Sequence, residues 1–241
     1  MPKVVVLIGS RNKRGATYAF SRKLVDSLAI ERYETEYLFP QDFTIKPCLG
    51  CARCFLLTRC VQKDDLLSLQ KKILDSDVLI IASPVYLHYM TADLKLILDR
   101  SAWWSHTLRL QGKPTVVLST CSSNGQTSVT KPLSEIMTWM GANVIATANA
   151  SKLPDQLGNE QWLQSVGKVI ADRIEEACQN DPQSNRFLEE VFQNTKRSME
   201  SQRNAIEDSE ITLGEVEYWE DSGMFYYDTF QEYLTSTGKI M

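Results

Sequence analysis

Apolar residues occur in short unbroken runs, and between the runs they recur every three or four positions. Residues 3–9 (KVVVLIG) and 77–83 (DVLIIAS) are such runs, the pattern of strands buried on both faces of a parallel sheet. Residues 33–39 alternate loosely, and 114–120 (PTVVLST) and 143–148 complete a set of five predicted strands. Helical spacing lies between them. Phe20, Leu24 and Leu28 predict a helix over 17–29, and Leu66, Leu69 and Ile73 predict one over 64–74. Leu94, Ile97 and Leu98 place a third over 91–104, followed by 130–140. Trp162, Val166, Ile170 and Ile174 mark a helix over 161–178. Strands alternating with helices imply right-handed βαβ units and an α/β, doubly wound parallel sheet.

The alternation stops near residue 180. Residues 180–185 (NDPQSN) read as a turn, 186–208 as a charged helix, and 214–233 as a segment rich in aromatics, including Tyr218, Trp219, Phe225, Tyr226, Phe230 and Tyr233. The chain therefore divides into a domain at 1–180 and a helical, aromatic-rich extension at 181–241. The extension is expected to pack its rings on the domain, or to form an oligomer contact or a lid.

With 241 residues, 43% hydrophobic and 23% charged, the chain can bury a core, which excludes disorder and collagen-like structure. No apolar run approaches the ~18–20 residues that span a bilayer. The first apolar run is too short for a signal peptide and meets Arg11, Lys13 and Arg14 at once, so a soluble, cytoplasmic protein is expected. A net charge of −4, concentrated in an acidic extension, argues against nucleic acid as the partner.

Ligands of doubly wound sheets bind beyond the carboxyl ends of the strands, which singles out loops 9–17, 83–91 and 119–126. The first offers hydroxyls at Ser10 and Thr17, glycines at 9 and 15, cations at Arg11 and Arg14, and then a helix N-terminus suited to phosphate. It is neither G-x-G-x-x-G nor a P-loop, so adenine-dinucleotide and ATP sites of those kinds are disfavoured. The second loop puts Tyr86, Tyr89 and Met90 at the sheet's mouth, where loops are normally polar, and a planar aromatic ligand would explain them. The third, STCSSNGQ, is small and polar.

Four of the six cysteines, Cys48, Cys51, Cys54 and Cys60, fall in one stretch. Two successive C-x2-C spacings with a nearby fourth cysteine suit compact 4Fe–4S ligation better than structural zinc, which usually takes two separated pairs. The alternative is four reduced cysteines acting as small hydrophobes. His88 and His106 are the only histidines, which excludes a His-rich metal site.

Gly9-Ser10 with Gly15 and Thr17, then Ser83-Pro84-Val85-Tyr86, Leu94-Lys95 and Asp99-Arg100, together resemble the NADPH-dependent FMN reductase branch of the flavodoxin-like superfamily. The run Pro47-Cys48-x2-Cys51-x2-Cys54-x5-Cys60, followed by Lys63-Asp64-Asp65, is similar to that of iron–sulfur flavoprotein relatives. The resemblance covers about residues 1–178. It implies a flavodoxin-like five-stranded sheet of order 2-1-3-4-5 and bound FMN. Ser10, Arg11, Gly15, Ala16 and Thr17 would hold the phosphate. Pro84, Val85, Tyr86 and Leu87 would contact the ribityl chain and the ring, and Ser119, Thr120 and Asn124 its polar edge. The first loop is more cationic than is usual in the family, and the third lacks its Gly-rich stretch.

The activity implied is an NAD(P)H oxidoreductase that passes electrons through FMN to a small acceptor such as flavin, a quinone or an iron centre. No catalytic side chain is required, because the cofactor carries the hydride chemistry. The alternative is an electron-transfer protein fed by ferredoxin through a 4Fe–4S cluster on Cys48, Cys51, Cys54 and Cys60, and a third option is a binding protein that has lost its flavin. A homodimer or homotetramer is implied as well.

Overall fold

A computed structural model describes residues 1–28, 32–207 and 211–237. Five parallel strands form one sheet in the order β2-β1-β3-β4-β5: β1 (Lys3–Ile8), β2 (Glu34–Leu38), β3 (Val78–Pro84), β4 (Pro114–Cys121) and β5 (Asn143–Ser151). The order is the one the resemblance implies. The inner strands β1, β3 and β4 are the unbroken apolar runs, because both their faces are covered. The edge strands β2 and β5 are only partly buried and correspondingly more polar.

Parity along the strands divides the core. Val4, Val6, Ile8, Val116 and Leu118 face α1 (Ala16–Val25) and α7 (Glu160–Gln179). Val5, Leu7, Leu79, Ile81 and Val117 face α3 (Leu66–Leu74), α4 (Ala92–Arg100) and α6 (Gln126–Trp139). The expected ends of the first helix at residue 29 and of the extension's helix at residue 208 lie outside the described residues.

Several elements differ from the sequence reading. The first helix, expected over 17–29, ends at Val25 with Asp26 as its C-cap, so Leu28 lies beyond it, and β5 runs three residues past the expected 148. The helix expected over 91–104 ends at Arg100, and a separate short α5 (Trp104–Thr107) follows, with the next residue, Leu108, left-handed. α6 begins four residues before the expected Thr130, immediately after Gly125, whose φ of 78° ends the polar loop. The cysteine segment contains an unforeseen short helix, α2 (Arg53–Leu57).

Beyond residue 185 the chain is mostly helical: α8 (Arg186–Ile206), α9 (Gly214–Asp221) and α10 (Phe230–Thr237). Asn185 caps α8 by accepting the Leu188 N–H at 3.1 Å. Both carboxylate oxygens of Glu189 accept N–H groups at the start of α10 (2.8 and 2.9 Å), where the helix dipole favours an anion. Phe192, Trp219 and Phe230 are buried and pack ring to ring at 5.3–5.5 Å, forming a third core with Leu108. Trp219 Nε1 donates to the His106 carbonyl at 2.7 Å, which fastens this core to the sheet domain. Among the described residues, no helix is long and apolar enough to cross a membrane.

Candidate active site

Three loops leave the carboxyl ends of β1, β3 and β4. Residues 9–15 fold on their own polar groups. Buried Ser10 accepts the Asn12 N–H (3.2 Å), Asn12 Oδ1 accepts the Arg14 N–H (3.0 Å), and the Asn12 carbonyl accepts the Gly15 N–H (3.0 Å). Gly15 occupies the N-cap of α1, and no side chain caps the helix. The first-turn amides, including those of Ala16 and Thr17, have no intrahelical acceptor and lie at the positive end of the helix dipole. Such an end accepts an anionic oxygen.

Gly9 permits the close approach of α4: a Cβ there would lie 2.8 Å from Leu94 Cβ and 3.2 Å from the Ala82 carbonyl. Thr91, the N-cap of α4, accepts the Leu94 N–H at 3.2 Å and donates to the Gly9 carbonyl. Arg11 is engaged by an acid of α4. Its guanidinium forks onto Asp93 (2.8 and 2.9 Å), and that hydrogen bond holds the Asp93 carboxyl below its usual range. The Thr17 and Thr120 hydroxyls share a buried hydrogen bond of 2.7 Å, which joins the start of α1 to the end of β4.

The loop after β3 is unusual. The Val85 N–H donates to the Thr120 carbonyl (2.8 Å), and Tyr86 and Tyr89 exchange backbone hydrogen bonds of 2.9 and 3.1 Å. The two residues between them, Leu87 and His88, have φ of 46° and 61°. A two-residue turn with both φ values positive normally uses Asn and Gly. Leu and His are held there at a cost of about 1–2 kcal/mol each. Leu87 is 97% exposed, Tyr86 59% and Tyr89 40%. An apolar, strained and exposed turn at the end of a central strand has the character of a ligand contact.

In the third loop, Asn124 is exposed and Gly125 packs against the second loop: a Cβ on Gly125 would sit 2.7 Å from Val85 Cγ1. Ser119 is fully buried within β4 and accepts from Asn149 Nδ2 at 2.5 Å. The structure thus brings Ser10, Gly15, Ala16, Thr17, Pro84, Val85, Tyr86, Leu87, Thr120 and Asn124 to one mouth. Arg11 is drawn to Asp93, and Ser119 is drawn under Asn149.

The cysteine segment lies between β2 and α3. All four cysteines are free; Cys48 and Cys51 are exposed, and Cys54 and Cys60 are half-buried. Left-handed residues at Gly50 (φ 62°) and Ala52 (φ 56°) fold the backbone between Cys48 and Cys54. Burial first, then the proximity of Cys60, Cys48 and Cys51, raises the Cys54 thiol above its ordinary value. The Gly50 N–H points to Cys48 Sγ (3.4 Å) and Arg100 Nε to Cys60 Sγ (3.2 Å). Among the described residues, no three His, Cys, Asp or Glu side chains converge tightly enough to hold a single metal ion. A cluster of iron and sulfide holds its thiolates further apart than a lone ion does, and of the four thiols two, Cys48 and Cys60, are supplied with N–H donors of the kind such a cluster's sulfurs accept.

The sequence model of the NADPH-dependent FMN reductase family matches residues 2–152. The chain belongs to that family. An iron-sulfur flavoprotein of Methanocaldococcus jannaschii is 35% identical over 99 residues, which cover 41% of this chain and 51% of the relative. One of Clostridioides difficile is 23% identical over 235 residues, 92% of this chain and 99% of the relative. The chain spans about half the length of the first curated relatives it matches (51%, 50% and 48%). Among solved structures, RosB with a bound flavin-phosphate intermediate superposes with a TM-score of 0.59 at 16% identity, over 87% of this chain and 88% of RosB. That likeness establishes the flavodoxin-like fold for this FMN reductase family member.

Sequence reasoning gave no role to Asn12, Asp93 or Asn149, and named Arg100 only within the Asp99-Arg100 motif, without a partner. Asn12, three residues before Gly15 in a polar turn, carried a local signal. A cavity of about 570 Å³ between α4, α6 and α8, walled by Leu98, Trp139, Met140 and Met199, contains none of the residues of the mouth.

Proposed function

We propose that the chain binds FMN in the mouth formed by the loops after β1, β3 and β4, and acts as an FMN-dependent oxidoreductase that draws electrons from NAD(P)H. One juxtaposition carries this reading. The uncapped start of α1 and the exposed apolar turn at 86–89 stand at the ends of neighbouring strands β1 and β3. The first suits a phosphate and the second a planar aromatic ring, and FMN has both.

Ser10, Gly15, Ala16 and Thr17 would hold the phosphate, with exposed Arg14 supplying charge beside them. Arg11 would join them only by releasing Asp93. Pro84, Val85, Tyr86 and Leu87 would bound the ring, with Thr120 and Asn124 at its edge. Ser119 acts one step back, by fixing the end of β4 through Asn149. Bound FMN supplies the hydride and electron-transfer chemistry. The chain's own work is to bind the phosphate, orient the ring and keep its face dry.

A second reading rests on the N–H donors aimed at Cys48 and Cys60 and on the names of the iron-sulfur flavoprotein relatives. In it, Cys48, Cys51, Cys54 and Cys60 hold a 4Fe–4S cluster, and the chain passes single electrons from a ferredoxin to the flavin. Stopped-flow mixing of FMN-loaded, oxygen-free protein with NADPH separates the two. Rapid bleaching of the flavin supports the first. Flavin that stays oxidised with NADPH but is reduced by reduced ferredoxin, together with about four irons and four sulfides per chain, supports the second. Protein that takes up no FMN contradicts both.

A further inference from the structure

Arg100 ends α4, and its side chain is fully buried beneath the cysteine segment. An isolated buried cation is strongly unfavourable, so its partners reveal what holds it there. Its guanidinium forks onto Asp64 (2.8 and 3.2 Å), whose side chain is 1% exposed, and donates to the Lys46 carbonyl at 2.5 Å. Asp64 in turn accepts the N–H groups of Lys46 (3.0 Å) and Leu66 (3.2 Å). Burial opposes ionisation of Asp64, but Arg100 and these amides outweigh it and hold the carboxyl below its ordinary range. Its Nε points at Cys60 Sγ at 3.2 Å. The pair therefore clamps both ends of the cysteine segment, residue 46 before the first cysteine and residues 60 and 64 at and after the last, onto α4.

We infer that Arg100 is a positioning residue for the cysteine site, setting the place of Cys60 and, through its Nε–H···Sγ contact, raising the reduction potential of the centre that the four thiolates hold. The inference rests on the cluster reading given above. Reduction adds negative charge that spreads onto the ligating sulfurs, and an N–H donated to a sulfur stabilises that added charge. The guanidinium's charge alone does little, because Asp64 neutralises it. What remains is a directed donor in a dry setting.

The test uses the full chain, purified without oxygen and reconstituted with iron and sulfide, as wild type, Arg100→Lys and Asp64→Asn, with circular dichroism confirming the fold of each. Iron and sulfide are counted first, and the midpoint potential is then read by dithionite titration. Arg100→Lys keeps the charge but loses the donor to Cys60, so its midpoint moves to a more negative value. Asp64→Asn leaves the guanidinium uncompensated, so its midpoint moves the opposite way. Opposite shifts are not what loosened packing alone would produce; unchanged midpoints, or two shifts of one sign, overturn the inference. Amide hydrogen exchange across residues 44–66 is measured on the iron-free protein in parallel. Arg100→Lys is expected to speed exchange about tenfold, the loss of roughly one hydrogen bond, and unchanged exchange overturns the positioning role. Wild-type protein that takes up no iron removes the cluster reading and the effect on potential together, while the exchange result still decides the clamp.

Discussion

His106 stacks on Phe55 of the cysteine segment (centroids 4.9 Å apart) and shares a 2.8 Å hydrogen bond, through Nδ1, with buried Glu215 at the start of α9. That bond raises the His106 pKa above its ordinary 6.5. Burial raises Glu215 from 4.5 despite the nearby imidazole, and its second oxygen, Oε1, is buried without a partner. The two shifts agree in sense, because the folded protein holds its protons more tightly than the unfolded chain does. Stability from His106 is fully present below pH 6.5 and is lost as the pH rises through its raised value. The thermal midpoint is therefore expected to fall as the pH climbs above 6.5, and His106→Gln should flatten that fall. A midpoint with the same slope in wild type and variant would contradict the assignment. Other features at this scale leave no trace in a linear reading. The positive φ of Leu87 and His88 goes against the residue preference of such a turn, and the pairing of Arg100 with Asp64 joins residues far apart in the chain, although the sequence marks both segments as notable.

Between elements, the extension and the cysteine segment meet at α9 and α2. Gly214 begins α9, and a Cβ there would stand 2.4 Å from the Leu56 carbonyl, so the helix start rests directly on backbone. Gly214→Val should push the two helices apart, cost about 1–3 kcal/mol, and speed hydrogen exchange at residues 53–57; unchanged denaturation and exchange would show that the contact bears no weight. Here the sequence was partly legible. The unbroken apolar runs marked β1 and β3, and helical spacing found the helices that cover the sheet. The break between α4 and α5 was missed, because the apolar stripe carries on into Trp103 and Trp104. α6 begins ahead of its apolar spacing because its first turn, Gln-Thr-Ser, has the composition of a loop.

Across the whole molecule, alternation of strand and helix gives the class, and the resemblance gives the order β2-β1-β3-β4-β5, since pairing between strands far apart in the chain has no local signature. The mouth follows from that order, because ligand loops sit at the carboxyl edge of a doubly wound sheet. Which side chains enter the mouth was less legible. Arg11 had the charge for a phosphate, but Asp93, on another helix, claims it. The central claim, an FMN phosphate at the start of α1, is tested most directly by titrating the flavin-free protein with FMN, as wild type and Ala16→Asp, and following quenching of flavin fluorescence. An acid in the first turn suits the helix dipole, so the variant should fold at least as stably as wild type. It also sets a carboxylate against the phosphate, so FMN affinity should fall about tenfold or more. Equal affinity in a folded variant, or no quenching by wild type, would contradict the account.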